Sequence, residues 1–299
     1  MKTETKLLIA DDWEDYELLD SGHLQKLERF GSQTVIRPDP QAFWNPARPL
    51  DTWRADARFS SKNNDEDGSG QWEVLSPKAQ DTWPMRWNGL TFSARRTAFR
   101  HMGVFQEHSV HWRFAQDQIR KRTSGSPCSV LNLFGYTGMM SLACAAAGAD
   151  VVHLDASPKS NGYGKENQSL SGLDDKPIRW IADDAMKFTA REVRRGNRYD
   201  AIVLDPPKFG RGPKNETWRF EENLPELLDT VRDLLSDEPR FVILTAYAVR
   251  LSYIALAQAL ADRLAPFGGV MEMGEMALPQ KDSDRLLPTA IYARWRAGD

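Results

Sequence analysis

The chain has 299 residues, 41% of them hydrophobic and 27% charged, with a formal net charge of −3. That length supports one large domain or a core with a smaller appendage. No apolar run approaches the ~18 residues that would suggest a membrane helix. The N-terminus soon turns acidic without a signal-peptide core. Two cysteines, Cys128 and Cys144, have neither disulfide nor metal spacing. The expectation is a cytoplasmic chain with no membrane segment and no metal; nothing in the pattern specifies an oligomeric state. Net charge gives no global sign of nucleic-acid binding, so any such sign must be local.

Residues 1–46 carry short strand-like pieces, Tyr16–Leu19, Gln25–Phe30 and Thr34–Arg37, separated by turn residues at Ser21-Gly22, Gly31-Ser32 and Pro38-Asp39-Pro40. This spacing predicts a small β-meander. Residues 60–71, polar and rich in Gly and Ser, read as a loop. Trp72–Leu75 and Trp87–Ser93 read as further strands, with Trp83-Pro84 between them. Five tryptophans fall in this region (Trp44, Trp53, Trp72, Trp83, Trp87). Packing of a small sheet is the favoured account of them, and a base-stacking surface is the sharper one. From Pro84 to Arg122 there are eight basic residues against two acids. A solvated face is the favoured account, and phosphate contacts are the alternative.

From residue 129 onward strands and helices alternate, the signature of a mostly parallel sheet covered on both faces. The expectation is an α/β fold with a β-rich N-terminal region, residues 1–95, and a Rossmann-like sheet domain, residues 96–299. The stretch Val130–Asp155 carries the pattern most clearly. Val130, Leu131, Leu133 and Phe134 form a short apolar strand, and Gly135 and Gly138 frame a turn where the backbone can approach a ligand. A helix from Met139 to Ala147 follows, with Gly148 as its stop. The strand Val151–Leu154 then ends on Asp155, 20 residues after Gly135. Strand, glycine turn, helix, strand and acid make a βαβ nucleotide-binding unit whose acid can accept both ribose hydroxyls.

The spacing Gly135-x-x-Gly138 is not the dinucleotide fingerprint, and no phosphate-cradling P-loop occurs. A ligand with a ribose but no phosphates fits better, and S-adenosylmethionine is the common one. The further elements are a helix containing Lys165-Glu166-Asn167, a strand around Ile178–Ile181, a helix Ala185–Arg195 and a strand Tyr199–Leu204. A helix at 223–235, a strand Phe241–Thr245, a helix Tyr253–Leu264 and a hairpin-like pair, Met271–Leu278 with Leu287–Trp295, complete the chain. Polar groups recur at the strand ends, where open α/β sheets bind ligands. They are Asn132 and Gly135, then Asp155, Asp183 and Asp205. Asp155 would hold the ribose diol and Asp183 the adenine amino group. Asp205-Pro206-Pro207 would present carbonyl oxygens on a rigid path beside an acid, and Phe209 could stack on a planar substrate.

These segments, with Phe105-Gln106-Glu107-His108, LNLFGYTG, Asp155-Ala156-Ser157, Asn167, Ala182-Asp183-Asp184 and Asp205–Phe209, resemble class I S-adenosylmethionine-dependent methyltransferases. Within that class the resemblance is to the bacterial large-subunit ribosomal RNA methyltransferases that carry DPPKF. It covers roughly residues 95–296. The resemblance implies S-adenosylmethionine as cofactor and RNA, ribosomal RNA first, as substrate. It implies a cofactor pocket of Phe105, Glu107, Asn132, Phe134, Gly135, Tyr136, Thr137, Gly138, Asp155, Ala156, Ser157, Asn167, Asp183, Asp184 and Asp205. It implies catalytic roles for Asp205, Pro206, Pro207 and Lys208. Members that make 5-methylcytosine have a cysteine where this chain reads Ala246-Tyr247-Ala248, so transfer without a cysteine nucleophile is expected. A methyltransferase of protein or of a small molecule, or a non-catalytic cofactor-binding RNA-associated factor, are the rival readings.

Overall fold

The computed structural model describes residues 1–61, 68–121 and 125–298. Residues 62–67 of the expected loop at 60–71 and Arg122 of the basic run lie outside the described residues. The ends of that loop are strand instead, Ser60 and Ser61 pairing with Gln71 and Gly70. The chain divides into two compact units. The larger comprises Met1–Leu8, Val110–Met276 and Ala290–Asp299, and the smaller Ile9–Ser109 and Ala277–Thr289. The expected boundary near residue 95 is therefore drawn differently in the fold. The first eight residues join the larger unit because Lys2–Thr5 pairs in parallel with Val270–Met273. An edge strand of four residues leaves no local pattern from which to predict this.

Five parallel strands form the centre of the main sheet, in the spatial order Ile178–Ala182, Asp150–Asp155, Ser129–Leu133, Ala201–Leu204, Phe241–Ala246. Leu286–Arg296 adds antiparallel to the last of these, and Val270–Pro279 and Lys2–Thr5 follow it. Chain order reverses at Ser129–Leu133, which has the second strand on one side and the fourth on the other. Such a switch point is where open α/β sheets bind ligands. All four residues of Ala201–Leu204 and all six of Phe241–Ala246 are buried, as expected of strands covered on both faces. The helix Phe220–Leu234 buries Phe220, Leu224, Leu227, Leu228, Val231 and Leu234. That spacing is a single apolar stripe, and it packs into the core that holds Leu204, Leu244, Leu260 and Trp295.

The smaller unit contains a five-stranded sheet of Tyr16–Gly22, Gln25–Phe30, Gln33–Pro38, Ala57–Ser61 and Gly70–Val74, and a separate hairpin. That hairpin corrects the expectation of one strand at Trp87–Ser93. Thr82–Trp87 pairs antiparallel with Leu90–Arg95, turning at Asn88 and Gly89, both at positive φ. An Asn-Gly pair between alternating apolar residues is a strong hairpin signal, and Trp83-Pro84 lies within the first strand.

The tryptophans of this unit are anchored by their indole N–H groups. Trp53 donates to Asp20, Trp72 to the Thr97 carbonyl, Trp83 to the Phe30 carbonyl and Trp87 to Asp12, all at 2.8–3.1 Å. Trp44 donates to the Ser21 carbonyl at 3.0 Å. They pack the unit, which is the favoured of the two readings.

Candidate active site

The register of the parallel strands builds the site. Leu244, Leu204, Leu133 and Leu154 are successive neighbours across the sheet, and Leu154 adjoins Ile181. One residue further along, the row becomes Thr245, Asp205, Phe134, Asp155 and Ala182, with Asp183 immediately after. The acids anticipated at separate points of the chain thus stand along one edge of one sheet.

Asp155 is oriented by two backbone donors. Its Oδ2 accepts the Tyr136 N–H and its Oδ1 the Ser157 N–H, both at 2.8 Å. Burial pushes its carboxyl above the usual range, while the Ser157 and Tyr136 N–H groups pull the other way. Each oxygen retains acceptor capacity, so the pair can still receive two hydroxyl protons. Ser157 caps the helix Pro158–Leu170 by accepting the Ser160 N–H. Ala156 lies half-buried between these two residues.

The glycine turn is held differently from what its spacing suggests. Positive φ falls at Phe134 (58°), Tyr136 (51°) and Gly138 (88°), and not at Gly135. Two non-glycine residues in the left-handed region concentrate strain at the turn, as binding sites often do. Gly135 is required for space, because a Cβ there would lie 2.3 Å from Cε1 of His153. The layer beneath is a buried polar chain in which Asn132 Nδ2 donates to Ser141 Oγ, which bonds His153 Nδ1, each at 2.9 Å. Burial holds His153 down to about 3, so the ring stays neutral, and it packs on Trp180 with centroids 4.3 Å apart. Asn167 Nδ2 donates to the Thr137 carbonyl at 3.0 Å and ties the turn to the next helix. Asn132 and Asn167 therefore support the turn from behind.

Asp183 is engaged on both oxygens. Oδ1 accepts the Asp184 N–H at 2.8 Å, and Oδ2 forms a short ion pair with Arg191. Asp184 caps the helix Ala185–Arg194 by accepting the Lys187 N–H at 2.9 Å. Phe105 and Glu107 belong to the smaller unit, where Phe105 packs on His101 at 4.8 Å and Glu107 is buried.

In the Asp205-Pro206-Pro207-Lys208 segment Pro206 is buried while Pro207 and Lys208 are exposed. One expected open acceptor is occupied, since the Pro207 carbonyl accepts the Trp218 indole N–H at 2.7 Å. Trp218 also packs against Phe134 of the glycine turn, centroids 5.0 Å apart. It belongs to a short hairpin, Phe209–Arg211 with Thr217–Arg219, which sequence reading missed because three-residue strands carry no period. His153, Trp180 and Trp218 were likewise not anticipated. The signal for Trp218 was a bulky aromatic between two charged stretches. Thr245 lies in the same row, buried, with a hydroxyl that has no partner among the described residues.

Cys144 and Cys128 are both buried in the larger unit. Burial pushes the Cys144 thiol up, the reverse of what a nucleophile needs. The strand Phe241–Ala246 ends on Ala246, followed by Tyr247 and by Ala248 at positive φ.

A parallel sheet with a switch point, a glycine turn and a ribose-type carboxylate define a nucleotide-binding α/β fold whose donor set suits a nucleoside without phosphates. The family model of the S-adenosylmethionine-dependent methyltransferases matches residues 61–239, and the chain belongs to that family. It is an enzyme of the methyltransferase class and its cofactor is S-adenosylmethionine. An S-adenosylmethionine-dependent methyltransferase from Agrobacterium tumefaciens is similar over almost the whole length. The two share 42% identity and a TM-score of 0.92 over 99% of this chain and 96% of that one. The ribosomal RNA large subunit methyltransferase K/L of Pseudoalteromonas atlantica is 31% identical over 163 residues, 54% of this chain and 22% of that protein. The ribosomal RNA large subunit methyltransferase K of Neisseria meningitidis is 24% identical over 218 residues, 71% of this chain and 60% of that protein. The chain thus matches about a fifth of the first of these relatives and three fifths of the second. No helix among the described residues is long and apolar enough to cross a membrane.

Proposed function

We propose that the enzyme methylates RNA, with ribosomal RNA as the substrate class, in the cytoplasm and without a cysteine nucleophile. The observation that carries the reading is the row Asp205, Phe134, Asp155 along one sheet edge, in a chain whose relatives are named ribosomal RNA methyltransferases. S-adenosylmethionine, when bound, supplies an activated methyl group. Asp155 would accept the ribose hydroxyls, Asp183 the adenine amino group, and the Phe134–Gly138 turn would pass the methionine part. Phe105, Glu107, Ala156, Ser157, Asn167 and Asp184 stay in the proposed set, Asn132, Asn167 and Asp184 as supports of turn and helix. Asp205, with Pro206, Pro207 and Lys208, would orient the acceptor. Neither buried thiol suits covalent addition to a pyrimidine, and a nitrogen or oxygen acceptor held by a carboxylate needs none.

Transfer of label from methyl-labelled cofactor to deproteinised large-subunit RNA, and not to total protein, is the expected result. Label in protein alone overturns the reading. Asp155→Ala should weaken cofactor binding by about 1.5–3 kcal/mol, the scale of hydrogen bonds to a charged group. Calorimetry showing unchanged affinity would remove Asp155 from the ribose.

A further inference from the structure

We propose that the short hairpin Phe209–Arg211/Thr217–Arg219 is a clamp for the phosphate backbone of single-stranded RNA, with Arg211 and Lys214 as its phosphate contacts. This deepens the RNA reading above and presupposes it. Between Lys208 and Arg219 there are four basic residues and one acid, Glu216. The acid is already engaged. Its Oε1 receives Lys187 Nζ at 2.6 Å and its Oε2 the Lys214 N–H at 2.8 Å, and Gly212 leaves the room this needs, since a Cβ there would lie 2.4 Å from that oxygen. Arg219 pairs with Glu222 at 3.0 Å. Arg211 and Lys214 are exposed and have no carboxylate partner among the described residues.

The aromatic beside them favours nucleic acid. Phe209 is 53% exposed and carries the Arg211 guanidinium 6.0 Å from its ring centre. An open ring next to unneutralised cations suits a base stacked on the ring with its phosphate held alongside, because every base offers a π-face. An acidic peptide offers no such face.

The hairpin is also fixed to the chemistry. Its buried Trp218 bonds the Pro207 carbonyl and packs on Phe134, while the Phe220 N–H donates to the Lys208 carbonyl at 3.0 Å. A strand gripped by Arg211 and Lys214 is therefore held at a set distance from Asp205 and from the glycine turn.

The test uses the full chain carrying Arg211→Gln and Lys214→Gln together. Affinities for a single-stranded oligouridylate and for deproteinised large-subunit RNA are measured across a range of salt. Loss of two phosphate contacts should make the salt slope shallower by about 1.4, at ~0.7 per contact for single strands. Cofactor affinity and the thermal midpoint should not move, and Arg211→Lys with Lys214→Arg should restore the slope. A steep wild-type slope left unchanged in the double variant overturns the clamp, and so does an unchanged slope with weakened binding of polyglutamate. Wild-type protein with no salt-dependent RNA binding overturns the RNA reading itself.

Discussion

Two stretches of this chain are rich in cations, and the fold engages them differently. In the first Arg96 and Arg100 are drawn in while Arg120 and Lys121 stay exposed, and in the second Arg211 and Lys214 stay exposed. Residues 84–122 hold eight basic residues, yet several of the described ones are drawn into the structure. Arg96 has a side chain only 6% exposed and bonds Asp81 at 2.7 Å and the Gln80 carbonyl at 2.8 Å. Arg86 sits beside Asp15 at 3.5 Å, and burial together with Arg37 pushes the Arg100 guanidinium below its usual range. Residues 208–219 hold half as many cations, and there Arg211 and Lys214 point to no carboxylate. Counting charge along a sequence therefore misplaces the electrostatic surface. What matters is which cations the fold has already matched with carboxylates and carbonyls.

The largest expected effect comes from the histidines in such buried settings. His101 and His108, within the first stretch, and His153, under the glycine turn, are all held down to about 3 by burial. All three are neutral in the folded and unfolded chain above pH 6.5. As pH falls below that value the unfolded chain takes up protons that the folded one refuses, so stability drops toward pH 3. At about 1.4 kcal/mol per pH unit for each group, pH 5 should cost about 2 kcal/mol per histidine. The carboxyls of Glu28 and Glu272, held below their ordinary 4.5 by Arg37 and Arg294 against the pull of burial, add to the loss below that pH. Asp155, raised by burial, acts in the opposite sense. Urea unfolding at pH 7 and pH 5 measures the drop, and His153→Gln should shrink it; equal stabilities would show that these rings are hydrated.

Next in size is the buried ion set of the smaller unit. Arg37 bonds both oxygens of Glu28 at 2.7 Å, and Glu28 is wholly buried. Arg37→Met leaves that carboxylate without its principal partner and should cost about 3–5 kcal/mol, read by denaturant midpoint. Arg96→Ala breaks hydrogen bonds to one carboxylate and one carbonyl, and about 1–2 kcal/mol is expected, less because Asp81 is itself exposed. Neither change should alter the salt slope of RNA binding. If Arg96→Ala flattened that slope, the first stretch would be a phosphate surface after all.

The sheet was legible in sequence where one residue type serves one physical need. Short apolar runs ending on Asp155 and Asp205 marked parallel strands and their carboxyl ends together, because strands covered on both faces cannot alternate. The side chains that set the turn were not legible. Gly135 reads in sequence as a residue that lets the backbone approach a ligand; that it must also clear His153 is invisible there, because that neighbour comes from the next strand. Asn132 and Asn167 enter the proposed pocket by position and by resemblance. What the sequence does not show is where one N–H of each amide goes, to Ser141 Oγ and to the Thr137 carbonyl, partners that only tertiary packing supplies. The hairpin carrying Arg211 was hidden for another reason. Its strands are three residues long, and the contacts that anchor it, among them the indole bond from Trp218 to the Pro207 carbonyl and the packing of Trp218 on Phe134, exist only in the folded chain.

The smallest effect on stability is expected at Glu216, and it bears most directly on the difference between the two stretches. Glu216 bonds Lys187 at 2.6 Å, and the Lys187 side chain is 58% exposed, so the pair is one that adds little to stability. Lys187 and the Lys214 N–H hold the Glu216 carboxyl down at about 2, so it is fully charged at neutral pH. Glu216→Gln removes the one acid of the hairpin, keeps an oxygen for the Lys214 N–H, and releases Lys187 from its partner. The thermal midpoint should barely move. RNA affinity at low salt should rise and its salt slope should steepen, because a cation has been unmasked beside two that already bind phosphate. The matching release in the first stretch, Asp81→Asn beside Arg96, should leave RNA binding as it was, since that guanidinium stays buried. Tighter RNA binding from Asp81→Asn and none from Glu216→Gln would reverse the assignment of the two stretches.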